Sequence, residues 1–259
     1  MTAVRHLLIP AAGLGTRMRV VDAERPKEML PLNGKPAISH TVAEGVDAGV
    51  ERVIVIIRHG KEMIREALVG VEAEVIYLYQ EVLRGEADAL ALAEPLVGRE
   101  PVAVAYPDVV HWPGPGALKR LAAHFSEHEL PVIALTEVTA DTAHSFGNAG
   151  RVDLEPLQGE LFHVRRLHAK GPGHFTLRFP GEMRTCGMWV AGEDLFDHLR
   201  GARNDVPMDR EFSDSAIMRR FLAGPGLLAA RVPGTFFDVG RPEGYYRCVA
   251  AMDQRGGTV

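Results

Sequence analysis

Short apolar runs alternate with stretches whose apolar residues recur every three or four positions, and this alternation fills the first half of the chain. Val4–Pro10 fits a buried strand, and Arg52–Ile57, Ala73–Tyr79 and Pro101–Tyr106 repeat the form, the β-branched Arg52–Ile57 run as a parallel strand. Between them, Ala37–Ala48 carries Val42 and Val46 at helical spacing, with Pro36 just ahead where a helix start tolerates proline. Lys61–Leu68 is amphipathic, and Pro115–Glu129 and Pro131–Glu137 predict one more helix and strand. Strand and helix in alternation predict an α/β fold with a doubly wound, mostly parallel sheet, whose ligands gather at the carboxyl ends of strands. Beyond residue 140 the pattern breaks into short strands and glycine turns. Glu193–Leu199 then reads as a helix, and Pro242 starts a terminal one. We expect a single domain over 1–259: a first half over 1–140, an insertion over about 141–184 packed on it, and 185–259 returning to the core sheet.

The chemistry sits where the strands end. The first run empties into Pro10-Ala11-Ala12-Gly13-Leu14-Gly15-Thr16-Arg17-Met18, followed by Pro26-Lys27-Glu28-Met29-Leu30-Pro31-Leu32. With side chains nearly absent, a phosphate can approach the backbone N–H groups of Ala11, Ala12, Gly13 and Gly15. Arg17 and Lys27 add a fork of donors and a point charge, which together suit a polyphosphate. The plainer alternative is a glycine-rich turn with two solvated bases. A Walker A loop is excluded, because no Gly-Lys-Ser/Thr follows. A Rossmann fingerprint would need a third glycine at Met18 and an acid after the second strand, where Arg58-His59 stands.

Gln80 ends the third strand, and its primary amide offers a donor and an acceptor matching the N3–H and carbonyl face of uracil or thymine. Asp108 ends the fourth, where a carboxylate can hold Mg²⁺ or simply serve the turn.

The pattern Gly13-x-Gly15-Thr16-Arg17-Met18, Pro26-Lys27-Glu28-Met29-Leu30-Pro31-Leu32 and Gly34-Lys35-Pro36 resembles nucleotide-sugar pyrophosphorylases, most nearly bacterial UTP–glucose-1-phosphate uridylyltransferases. Thymidylyltransferases are similar, with A-G-G-x-G-T-R-L and P-K-Q-L-L-P. The resemblance implies a Rossmann-like fold of the nucleotide-diphospho-sugar transferase type, with the first half binding nucleotide and the insertion binding sugar. It implies base recognition by Gln80 and Gly85, and a sugar contact by Gly147 in Phe146-Gly147-Asn148 and by Gly187 in Cys186-Gly187-Met188. Asp108 and Asp238, the latter in Phe236-Phe237-Asp238-Val239-Gly240, become the two Mg²⁺ ligands, with Arg17, Lys27 and Asp108 as the catalytic set.

Two places depart from the family. Its G-L-G-H-A is here Gly85-Glu86-Ala87-Asp88-Ala89. Its E-K-P, where Glu holds sugar hydroxyls and Lys the sugar phosphate, aligns with Arg165-Arg166-Leu167; Arg166 would take over the phosphate charge.

The resemblance implies nucleotidyl transfer from an NTP, UTP or dTTP, to a sugar 1-phosphate such as glucose 1-phosphate, with Mg²⁺ as cofactor. A sensor of nucleotides or sugar nucleotides, with the fold but no turnover, is the rival. A net charge of −5 leaves no basic footprint for nucleic acid or an anionic membrane, so an anionic ligand must be held by local charges. No apolar run reaches membrane-spanning length, and no charged-then-apolar leader opens the chain. Cys186 and Cys248 lack metal-type spacing, so the reducing cytoplasm is the expected compartment. Association into a homo-oligomer is left open.

Overall fold

The structure is a computed structural model that describes residues 3–207 and 209–256. Leu7, Leu8 and Ile9 of β1 (His6–Pro10) are fully buried, since both faces of the strand are covered. After the glycine loop come two 3-10 turns, Thr16–Val20 and Lys27–Met29, and a small hairpin, β2 (Pro31–Leu32) with β3 (Lys35–Pro36). α1 (Ala37–Asp47), β4 (Arg52–Ile57), α2 (Met63–Ala67) and β5 (Glu74–Tyr79) follow. α2 begins two residues later than the amphipathic pattern suggests, because Lys61 is drawn inward to a buried carboxylate. α3 (Glu86–Ala91) starts directly after Gly85, and α4 (Glu94–Val97) leads to β6 (Val102–Ala105).

Next are β7 (Val109–Trp112), α5 (Ala117–His128), β8 (Val132–Glu137) and α6 (Ala140–Ala143). A hairpin of β9 (Val152–Gln158) and β10 (Leu161–Leu167) precedes β11 (Met183–Ala191), α7 (Leu195–Asn204) and α8 (Asp214–Ala223). β12 (Leu228–Arg231), β13 (Thr235–Asp238) and α9 (Pro242–Gly256) close the chain.

One 9-stranded sheet runs in the order β5-β4-β1-β6-β11-β8-β12-β10-β9. All but β10 and β11 point the same way. Alternation along the strands splits the core between the two faces. Leu7, Ile9, Val53 and Val55 meet Ile38 and Val42 of α1 and Leu118, Leu121 and Phe125 of α5. Leu8, Ile54 and Ile56 meet Leu90 of α3, Leu195 and Leu199 of α7, and Ile217 and Phe221 of α8. The sheet is therefore doubly wound, as the alternation predicts.

The segment expected as an insertion is continuous with this sheet. β9 and β10 form its edge, and Val152 and Val164 join the second core. Val138, Ala143, Phe146 and Phe175 make a small satellite cluster beyond it. Trp189 of β11 is 1% exposed and meets Phe221 edge-on, a core role. β7 and β13 pair apart from the main sheet, with Val109 opposite Asp238.

Candidate active site

The carboxyl ends of β1, β5 and β6 open into a cleft of about 920 Å³, a size typical of small-ligand sites. Ala12, Gly13, Gly15 and Arg17 form one lip, and Gln80 and Gly85 the next. Lys27, Asp108 and Asp238 lie in the floor, with Gly147 and Gly187 on the far wall. The structure thus gathers in one place residues separated by most of the chain.

Ala11 is the exception in the glycine loop. Its N–H donates to Ile56 O at 2.7 Å and its carbonyl accepts from Lys61 Nζ at 2.6 Å. Both backbone groups are committed and the residue is fully buried, so Ala11 shapes the loop and has no N–H to offer a nucleotide. Lys61 Nζ also bonds Glu28 Oε2 at 2.8 Å, with the two side chains 2% and 0% exposed. This pair ties the glycine loop to the Lys27 loop. Glu28 is visible in its motif without any sign of this role, and nothing in the sequence singles out Lys61.

In the floor, Lys27 Nζ donates to Asp108 Oδ2. Burial opposes the Lys27 charge, but Asp108, Glu28 and Asp238 outweigh it and hold the ammonium above its ordinary pKa. Burial likewise pushes Asp108 up, and Lys27 more than reverses the effect. Asp238 is held above the usual carboxylate range, first by burial and then by the negative charge of Asp108. Its Oδ2 accepts from Gly147 N at 3.3 Å, which leaves most of its acceptor capacity unused. Val239 N donates to Asp108 O at 2.8 Å, so the β7–β13 pairing sets both acids side by side. A Cβ at Gly240 would lie 2.7 Å from Asp108 Oδ2, so any other residue there would displace that carboxylate. Two carboxylates that repel each other, with spare lone pairs facing a cleft, fit a hard divalent cation such as Mg²⁺.

At the other lip, Gln80 is 6% exposed and its Nε2 donates to Gly85 O at 3.1 Å. One amide N–H and the carbonyl oxygen remain for a base. Gly85 has φ +110°, and a Cβ there would stand 2.4 Å from Phe212 O. The two segments clasp each other: Phe212 N donates to Arg84 O at 2.7 Å, and Ala87 N to Phe212 O at 3.0 Å. The family's second glycine, replaced here by Ala87, is accommodated because that residue lies in the first turn of α3 and is buried against Leu90 and its neighbours. Glu86 faces the start of α8, accepting from Asp214 N at 3.4 Å. Burial, then the nearby Asp214 and Glu211, push the Glu86 carboxyl up to about 7.

Arg166 does not reach the cleft. Arg165 and Arg166 are exposed on β10, where Arg165 pairs with Glu155. The pattern misleads here because the strand runs on to Leu167 before the chain turns inward. Leu167, His168 and Lys170 line the cleft instead. The sugar-phosphate role expected of Arg166 therefore has no support in its position, and Lys170 is a base that does line the cleft.

Residues 7–206 match the model of the MobA-like NTP transferase domain. The chain belongs to this family. Within it, the chain is 25% identical over 268 residues to a UTP–glucose-1-phosphate uridylyltransferase of Pseudomonas aeruginosa, covering 93% of each. It is 27% identical to the enzyme of the same name from Staphylococcus epidermidis, over 95% of this chain and 91% of that one. The UTP-bound UGPase of Acinetobacter baumannii superposes with a TM-score of 0.82 at 22% identity, covering 98% and 95% of the two chains. A UDP-glucose pyrophosphorylase complexed with UDP-glucose gives 0.79 at 22%, over 97% and 99%. By this family the chain is a nucleotidyltransferase, and the relatives it resembles are of the nucleotide-sugar pyrophosphorylase type.

Proposed function

We propose that the protein transfers a uridylyl group from UTP to a sugar 1-phosphate, glucose 1-phosphate in the first instance, releasing pyrophosphate. The observation that carries this reading is the convergence of the glycine loop, Lys27, Asp108 and Asp238 in one cleft that also holds Gln80. The relatives' names point to the same reaction.

The acceptor's phosphate has a second pKa near ~6, so its oxygen is already anionic at neutral pH and needs no general base. That oxygen attacks the α-phosphorus in line; the new O–P bond forms as the bond to the β-phosphate bridging oxygen breaks, and pyrophosphate leaves with the electron pair. The protein's part is orientation and charge. N–H groups from Ala12 to Gly15 hold the triphosphate, Arg17 and Lys27 oppose the negative charge that builds on it, and Gln80 pairs with the base. Asp108 and Asp238 would hold Mg²⁺, which when bound supplies positive charge to phosphate oxygens. Gly147 and Gly187 admit the sugar, and Lys170 meets its phosphate.

Pyrophosphate release with UTP, dTTP, CTP, GTP and ATP against glucose 1-phosphate tests the reading. UTP is expected to lead, with dTTP next because uracil and thymine share the face that Gln80 reads. A lead by GTP or ATP would overturn the base assignment, and no release with any nucleotide would leave a sensor.

A further inference from the structure

Around the mixed end of the sheet, arginine meets acid. Arg151 and Arg178 share the buried Glu182 at 2.5 and 2.7 Å, and Arg178 also reaches Asp153 at 3.0 Å. Arg165 pairs with Glu155, and Arg231 with Glu137 at 2.9 Å and Glu160 at 3.4 Å. Arg184 does not follow. It lies on β11 opposite Thr136 of β8, bridged on its other side to Arg151, and it lines the cleft. Its guanidinium stacks on Phe146 at 4.6 Å and reaches Phe175 at 5.8 Å. Among the described residues it makes no ion pair and no side-chain hydrogen bond, and its Nε is buried without an acceptor. Burial lowers its pKa, with Asp238 opposing from a distance and Arg241 reinforcing, yet a guanidinium keeps its charge in proteins. The residue is half-buried at the cleft wall, and a charge partly withdrawn from water without a partner is costly in a way that two aromatic faces do not offset as an oxyanion would. Its position is telling as well: Phe146 precedes Gly147, Cys186 and Gly187 follow two and three residues on, and all four line the same wall of the cleft.

We infer that Arg184 is the oxyanion anchor of the acceptor end of the cleft, holding either the phosphate or a ring carboxylate of the sugar phosphate and so determining which acceptors are used. The inference rests on the transfer reaction proposed above. A planar fork suits both groups, since each offers two oxygens to parallel N–H donors. The sequence departure at Arg165-Arg166 thus has its counterpart inside the cleft, at a residue about twenty positions further on.

The test compares the wild type with Arg184→Gln, which removes the charge, and Arg184→Lys, which keeps it without the fork. Initial rates at saturating UTP and Mg²⁺ give kcat and the acceptor KM for glucose 1-phosphate and for glucuronic acid 1-phosphate; KM for UTP and Tm are measured alongside. Calorimetry then gives the affinity of each acceptor without turnover. Arg184→Gln is expected to weaken acceptor binding by about 10- to 100-fold, with Arg184→Lys between the two and the KM for UTP unchanged. Equal losses for both acceptors assign Arg184 to the 1-phosphate; a loss confined to the uronic acid assigns it to the ring carboxylate. Acceptor KM and affinity within about twofold of wild type while Tm falls would reduce Arg184 to a structural stack and overturn the inference. A loss confined to UTP, or a wild type that binds neither acceptor, would also overturn it. A wild type that binds acceptor and UTP but releases no pyrophosphate refutes the transfer reaction, and the affinities still decide the role of Arg184.

Discussion

Arg17 and Lys27 look alike in the sequence and differ in the fold. Arg17 is exposed at the cleft lip, whereas the Lys27 side chain is 17% exposed and bonded to Asp108. Arg17→Ala is expected to lower kcat by on the order of 10²-fold with stability within about 0.5 kcal/mol, as for surface changes generally. Lys27→Ala should lower both, because it leaves Asp108 and Asp238 facing each other without the ammonium between them. Rates and urea midpoints on the two variants check this contrast. Asp238→Asn should separate activity from stability in the opposite sense. Removing a carboxylate that burial and Asp108 already disfavour relieves repulsion, so Tm should hold or rise while Mg²⁺-dependent turnover falls by about 10²-fold or more. A fall in Tm equal to that of Lys27→Ala would contradict the description of the floor.

At the scale of elements, two loops depend on groups outside themselves. Lys61 joins the glycine loop to the Lys27 loop through Ala11 O and Glu28. Lys61→Met strands a buried carboxylate and should cost about 3–5 kcal/mol in urea unfolding, a large share of a domain's stability; adding Glu28→Leu should recover part of it. The clasp between the Gly85 segment and the start of α8 carries the acid pair Glu86 and Asp214. Folded Glu86 holds its proton to about 7, against 4.5 as its ordinary value. Between those values the folded state binds more protons than the unfolded chain, so this group's contribution is fully present below about 4.5 and is lost as pH rises through about 7. Glu86→Gln keeps an acceptor for Asp214 N and removes the titration. Thermal unfolding of the variant should fall less between pH 5 and pH 8 than that of the wild type, and parallel curves would refute the burial of this carboxyl.

Over the whole molecule, the fold class was legible because burial on both sheet faces leaves apolar strand runs, and covering helices leave a 3.6-residue pattern. The ends of the site were legible too, since Gly13, Gly15, Arg17, Lys27, Asp108, Asp238 and Gln80 stand at strand ends or in a long motif. All of them line one cleft. Local sequence could not decide which polar residue beyond Leu154 faces inward. Arg166 stands on the edge hairpin and Lys170 just past its end, so a shift of a few residues exchanges one for the other without breaking any pattern. Nor could it reveal Lys61, Glu86 or Arg184, whose surroundings are assembled from distant segments: Ala11 and Glu28 for the first, Asp214 and Glu211 for the second, Phe146 and Phe175 for the third. Periodicity and motif spacing record what each residue does along its own element. Burial of charge and the partner that answers it depend on chain passing chain, and that was decided only when the main sheet set β1, β6 and β11 side by side and the separate β7–β13 pair was packed against the same cleft.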